Sequence, residues 1–177
     1  MADHPDAFGT YREIVKQWAP RLDLVSPGDI DRFDERHISD ALRVLPLLEG
    51  SPAGPFADVG SGAGLPGVPL AIASGRYVRL IEPRRRRAAF LEECLRRLGL
   101  AGEVVAITAE QAADDPRYAA AHPFAVARAL APPVEALKLI LPLVASGGTA
   151  AVYLGAGAKM PPNSEEFAPG IAIVRAD

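Results

Sequence analysis

Residues Phe56 to Leu70 constrain this chain more than any other stretch. Phe56-Ala57-Asp58-Val59 reads as a short, largely apolar strand, Gly60-Ser61-Gly62-Ala63-Gly64 as a turn, and Leu65-Pro66-Gly67-Val68-Pro69-Leu70 as the start of a helix. Glycines at alternate positions remove side chains where backbone must bend sharply and come close to a ligand. A second apolar strand, Tyr77 to Ile81, ends at Glu82, twenty residues past Gly62, where a carboxylate can accept from a ribose hydroxyl. A strand, a glycine turn, a helix and an acidic residue closing the next strand together form a site for a nucleotide-like cofactor.

The rest of the chain extends this unit into an α/β domain. Tyr11, Ile14, Val15 and Trp18 recur at helical spacing until Pro20, which is expected to end that helix. Asp29 is placed to cap one continuous helix to about Leu48, with Ile30, Phe33, His37, Ile38, Ala41, Leu42 and Leu45 mostly on one face. Beyond Glu82 the pattern predicts a helix to Leu98 stopped by Gly99, strands over 103–107 and 124–127, a helix over 133–144 and a strand over 149–154. Ile171 to Val174 is the one further strand expected. Short apolar strands alternating with helices imply a doubly wound, mostly parallel sheet preceded by N-terminal helices, with ligands at the carboxyl ends of the strands. The 177 residues suit a single domain: a helical segment over 1–50, a cofactor-binding core over 56–155 and a short tail over 156–177.

Composition narrows the function classes. With 49% hydrophobic and 23% charged residues the chain has ordinary globular proportions, and no apolar run reaches the roughly 18 residues that span a bilayer. The N-terminal residues carry no basic and apolar succession of a secretion signal, so a cytoplasmic location, without membrane contact, is expected. A net charge of −3 argues against a generally basic nucleic-acid surface, so any RNA contact must be local. Arg84-Arg85-Arg86-Arg87 is the concentrated positive charge and could track a phosphate backbone, whereas Arg96 and Arg97 read equally well as a solvated helix face balanced by Glu92 and Glu93. His4, His37 and His122 lie far apart without ligand-type neighbours, so no metal site is assigned, and Cys94 sits on an apolar helical stripe as a structural thiol.

Taken alone, Gly62-Ala63-Gly64-Leu65-Pro66-Gly67 also fits the dinucleotide fingerprint, so a nicotinamide cofactor stays open on the residues themselves. Asp58, leading an Asp-x-Gly-x-Gly-x-Gly order, and the helices before the first strand favour S-adenosylmethionine. No Lys-Ser or Lys-Thr follows the glycines, which excludes a phosphate-binding loop of the nucleoside-triphosphatase kind.

From about Trp18 to Gly155 the chain resembles the bacterial 16S rRNA guanine-N7 methyltransferases, the glucose-inhibited division protein B family. The resemblance is carried by Leu24-Val25-Ser26, Arg36-His37-Ile38-Ser39-Asp40, Asp58 through Gly67, Arg87-Ala88-Ala89-Phe90-Leu91, Ala109-Glu110 and Ala127-Arg128-Ala129-Leu130-Ala131-Pro132. It implies the class I S-adenosylmethionine-dependent methyltransferase fold and methyl transfer to guanine N7 in 16S rRNA of the 30S subunit, by a monomer. It also implies a cofactor site of Asp58, Gly60, Gly62, Gly64, Leu65, Glu82, Ala109, Glu110 and Arg128. Within it, Gly60 and Leu65 would line the methionine and adenosine part, Glu82 would hold the ribose, and Ala109 and Glu110 would meet the adenine. Arg128 would face the RNA and orient it, and Arg84 to Arg87 would bind it. No residue is assigned as general acid or base. The chain departs from the family's usual residues at Asp23 and at Leu154-Gly155, where a lysine ordinarily precedes the glycine. Two alternatives stand beside this reading: a weakened paralogue that binds cofactor or RNA without turnover, and a small-molecule methyltransferase.

Overall fold

A computed structural model describes residues 6–177; His4 and the rest of residues 1–5 lie outside them. In chain order the elements are α1 (Ala7–Leu22), α2 (Pro27–Ile30), a π-helical turn (Asp34–Ile38), α3 (Ser39–Ala41), a 3-10 turn (Leu42–Val44) and α4 (Leu45–Gly50). There follow β1 (Phe56–Val59), α5 (Gly67–Ser74), β2 (Val78–Ile81), α6 (Arg85–Leu98), β3 (Gly102–Val105), α7 (Ala109–Asp114) and β4 (His122–Ala127). The chain ends with α8 (Pro133–Ile140), a 3-10 turn (Leu141–Leu143), β5 (Val144–Tyr153), β6 (Glu165–Ala168) and β7 (Ile171–Arg175).

One seven-stranded sheet runs in the order β3-β2-β1-β4-β5-β7-β6. The first five strands are mutually parallel, and β7 and β6 pair antiparallel at one side. All four residues of β1 are buried, as a central parallel strand covered on both faces requires. Alternate side chains feed two core layers. Phe56, Leu80, Phe124 and Ala151 join Tyr11, Leu70, Phe90 and Leu91 on one face. Ala57, Ile81, Ala125 and Val152 join Ala112, Leu137 and Ile140 on the other.

Four sequence expectations need correction. Helix α1 passes through Pro20 and ends at Asp23, left-handed at φ 48°, whose amide donates to Ala19 O at 3.1 Å. A proline withholds its own hydrogen bond and crowds the carbonyl one turn back, but Pro20 stands in the last turn, and the residues after it still reach their carbonyls. The continuous helix expected over 29–48 is broken instead. The buried residues Phe33, Ile38, Ala41, Val44 and Leu48 are spaced by five, then three, three and four, and the five-residue step is the π turn, in which the Ser39 amide donates to Asp34 O. Helix α7 was not foreseen, although Thr108 and Gln111 form its reciprocal capping box. Finally, the tail over 156–177 supplies two strands rather than one. β7 is therefore paired on both sides, and the exposed Glu165 and Glu166 lie on the outer strand, where charge disfavours pairing with another chain.

Candidate active site

The glycine turn leaves β1 at the carboxyl edge of the sheet and is tied down from several directions. The amides of Gly60 and Ser61 both donate to Ile81 O, at 2.8 and 3.1 Å, and Ser61 Oγ donates to Asp58 O at 2.8 Å. Tyr11 of α1 donates its hydroxyl to Ala63 O at 2.6 Å. Glu82, at the end of β2, is 3% exposed; one carboxylate oxygen accepts from the Gly62 amide at 3.0 Å and the other from the Arg84 amide at 2.9 Å. The acidic residue expected to hold a ribose here holds the turn. A carboxylate offers about four acceptor sites, so these two bonds leave capacity for ligand hydroxyls.

Two glycines show why side chains are excluded here. Gly60 has φ +72°, and a Cβ there would lie 2.5 Å from Leu130 Cδ1, so the loop after β4 closes onto the turn at that point. Gly64 has φ +85°, with Val68 Cγ2 only 2.7 Å from the position of a Cβ. Gly62 differs: a Cβ there would meet nothing nearer than 3.7 Å, which marks the open side of the turn.

Asp58 and Leu65, both expected in the cofactor site, stand with their side chains behind the turn. Asp58 is fully buried and accepts from the Gly67 amide at 3.0 Å, while its other oxygen has no partner among the described residues; burial pushes its carboxyl up to about 7. Leu65 packs into the core layer shared by α1, α5 and α6. Ala109 is buried at the start of α7, and Glu110 beside it is exposed. Its own amide and the Thr108 hydroxyl hold the Glu110 carboxyl below the ordinary range. The Glu82 amide donates to Val105 O at 3.1 Å, so Glu82 stands beside the end of β3, from which the chain runs on to α7.

Arg128, just beyond β4, is the hub of a second cluster. Its guanidinium donates to Asp40 Oδ2 at 3.1 Å and approaches His37 Nδ1 at 3.3 Å, and its side chain is 18% exposed. The Tyr153 hydroxyl reaches the carbonyls of Asp40 and Ala41, at 3.1 and 2.8 Å. Beside this cluster a cavity of about 480 Å³ opens at the ends of β4 and β5, lined by Arg128, Asp40, Arg43, Tyr153, Leu154 and Pro132 among others. Sequence reasoning singled out Arg128 and Leu154 there, named Asp40 only as part of the family motif, and missed Arg43 and Tyr153. Arg43 and Arg128 bring cations to the wall that carries Leu154 in place of the family's usual lysine.

The arginine run lies in a separate cleft of about 760 Å³ lined by Pro20 to Asp23 and Arg84 to Arg87. Arg86 and Arg87 donate to the carbonyls of Arg21 and Asp23, at 3.2 and 3.3 Å. Arg84 and Arg85 are exposed, and among the described residues their guanidiniums have no hydrogen-bond partner. Arg96 pairs with Glu93 at 2.9 Å, as a solvated helix face would, whereas Arg97 donates to Gln17 of α1 at 2.8 Å. His122 is buried away from both clefts, bonded to Leu143 O at 2.8 Å. Cys94 is fully buried, and burial raises its thiol far above the ordinary range. Among the described residues, no group of three or more His, Cys, Asp or Glu side chains could hold a metal ion, and no helix is long and apolar enough to cross a membrane.

Known proteins resemble this chain in sequence and in fold. The family described as rRNA small subunit methyltransferase G matches residues 5–169. The ribosomal RNA small subunit methyltransferase G of Granulibacter bethesdensis is 41% identical over 150 residues, covering 85% of this chain and 68% of the relative. That of Kineococcus radiotolerans is 35% identical, covering 84% and 57%, and that of Acidiphilium cryptum 39%, covering 84% and 67%. The chain thus spans from rather more than half to about two thirds of these relatives' length. Among solved structures, a protein from Corynebacterium glutamicum superposes with a TM-score of 0.62 at 12% identity, covering 100% of this chain and 93% of the other. The geranyl diphosphate C-methyltransferase of Streptomyces coelicolor, solved with S-adenosyl-L-homocysteine, gives 0.53 at 19% identity, covering 64% and 42%. These likenesses establish the fold.

Proposed function

The chain belongs to the rRNA small subunit methyltransferase G family, and from that premise we propose that it transfers the methyl group of S-adenosylmethionine to N7 of a guanine in 16S rRNA. The observation that carries the proposal is a glycine turn clamped by Glu82 that Leu130 touches at Gly60, Leu130 belonging to the same loop whose Arg128, Ala129 and Ala131 wall the second cavity. The residues present fit the donor: the face at Gly62 would admit it against main chain, the free acceptor capacity of Glu82 would serve its ribose, and Ala109 and Glu110 at the start of α7 would meet its adenine. When bound, S-adenosylmethionine supplies an electrophilic methyl on a sulfonium.

Guanine N7 carries an in-plane lone pair and no proton. The side chains therefore need remove nothing, and none is assigned as acid or base. Their work is to align N7 with the methyl carbon and the departing sulfur, and such alignment contributes up to roughly 7 to 11 kcal/mol. Arg128 can donate to guanine O6 or to a flanking phosphate from the cavity wall. Arg84 and Arg85 hold the phosphate backbone from the neighbouring cleft. On this reading the chain is a single catalytic domain, acts as a monomer on the 30S subunit in the cytoplasm and uses no metal.

Incubation with labelled S-adenosylmethionine and 30S subunits lacking the mark is expected to give stoichiometric N7-methylguanine in 16S rRNA; absence of incorporation overturns the proposal. One observation favours a second reading. Leu154 puts an apolar side chain on the cavity wall, and Asp40 engages both Arg43 and Arg128 there. Tight cofactor binding in calorimetry without turnover would identify the non-catalytic paralogue.

A further inference from the structure

The Arg128 guanidinium has only donors, so the His37 nitrogen facing it at 3.3 Å must be an acceptor. That fixes the ring: Nδ1 carries a lone pair and the proton sits on Nε2. Among the described residues the buried Nε2 has no hydrogen-bond partner, and the nearest carboxylate is Asp29 Oδ2 at 3.8 Å. The π turn over Asp34–Ile38 contains His37, and Asp40 follows it two residues on. This segment therefore grips one guanidinium with an imidazole and a carboxylate.

We infer that His37 is a positioning residue, whose neutral ring latches Arg128 at the edge of the cofactor and base sites and releases it on protonation. This rests on the role proposed above for Arg128. The logic is one of hydrogen count: a second ring proton, on Nδ1, turns the acceptor into a donor aimed at a donor and sets two cations side by side. The charged groups facing His37 are Arg128 from the end of β4, Asp29 from α2, and Asp40 and Arg36 from its own segment. Burial first, then Arg128 and Arg36, lower the imidazole from its ordinary value against the opposing pull of Asp29 and Asp40. The ring is accordingly neutral at pH 7 and above, and the latch opens only on acidification past a midpoint below the ordinary 6.5.

Nitrogen-15 resonances of His37 and of the Arg128 guanidinium, followed on the full chain from pH 8 to pH 5, test the latch without reference to activity. The expected result is the Nε2–H tautomer at neutral pH, with Arg128 resonances moving at the His37 midpoint. An Nδ1–H tautomer, or an Arg128 signal indifferent to His37, overturns the inference. In methyl transfer, His37→Leu is expected to lower kcat/KM for 30S subunits by about 10- to 100-fold. His37→Gln, whose amide oxygen can still accept from Arg128, should recover part of that loss and abolish the acid fall-off of about tenfold per pH unit. An acid fall-off that survives in His37→Gln and disappears in Asp58→Asn would assign it to Asp58 and overturn the inference. If the unsubstituted chain methylates no RNA, the functional reading fails, and the resonance experiment still decides the latch.

Discussion

Tyr11 donates its hydroxyl to the carbonyl of Ala63 at 2.6 Å, joining α1 to the glycine turn across 52 positions of sequence. Helix α1 is thereby a buttress of the site, and the bond explains why a phenol occupies a fully buried position in the core. Tyr11→Phe keeps the packing and strands the carbonyl. Urea denaturation should show a loss of about 1–3 kcal/mol, and calorimetry a several-fold weaker affinity for S-adenosylmethionine. Unchanged values for both would refute the buttress.

Gly60 and Gly75 separate backbone strain from steric blockage. Both have positive φ, +72° and +67°, but a Cβ at Gly60 meets Leu130 at 2.5 Å, whereas one at Gly75 has open space. Gly75→Ala should cost about 1 kcal/mol of stability and leave cofactor affinity as it was. Gly60→Ala should cost more and weaken cofactor binding at least tenfold, with partial recovery when Leu130→Ala is added. Equal effects at the two glycines would contradict the proximity of Leu130.

Asp58 should make stability depend on pH. Its folded pKa of about 7 lies above the value of about 3.9 in an unfolded chain. Between these values the native state holds a proton that the unfolded state has released, so stability falls as pH rises from about 4 to about 7 and is flat above. The full change is roughly 4 kcal/mol. Asp58→Asn keeps an oxygen for the Gly67 amide and has nothing to titrate. Denaturant midpoints measured across this range should lose their slope in the variant, and a slope of unchanged size would exclude Asp58 as its source.

Arg84 and Arg85 are exposed, with guanidiniums free of hydrogen-bond partners among the described residues. If they hold phosphates, alanine at either should reduce the slope of log K against log salt for RNA binding by about 0.7 to 0.9, with cofactor affinity retained. A filter-binding series in which the slope stays constant would remove this cleft from the RNA interface.

The legible parts of the fold were those with local signals. The stripe of Phe90, Leu91, Cys94, Leu95 and Leu98 ending at Gly99 appears in α6 as expected, because amphipathic period and a glycine stop are written within one turn or two. Glu82 likewise faces Gly62, since parallel pairing of β1 with β2 brings adjacent strand ends together. The π turn was hidden because a single extra residue disturbs a helical stripe no more than an ordinary irregularity does. β6 was hidden for another reason: Glu165-Glu166-Phe167-Ala168 lacks an apolar pattern, and its pairing with β7 makes it a strand.

By itself the sequence determined which bend is built on glycine, which strand it leaves and which carboxylate stands opposite, because each depends on neighbours within one strand-turn-helix-strand unit. The tertiary structure alone decided that Arg128 meets His37 and Asp40, 91 and 88 residues away, and that Leu130 covers Gly60. Those contacts arise where separate loops converge at the sheet edge. The packing of whole layers sets that convergence, and no local spacing encodes it.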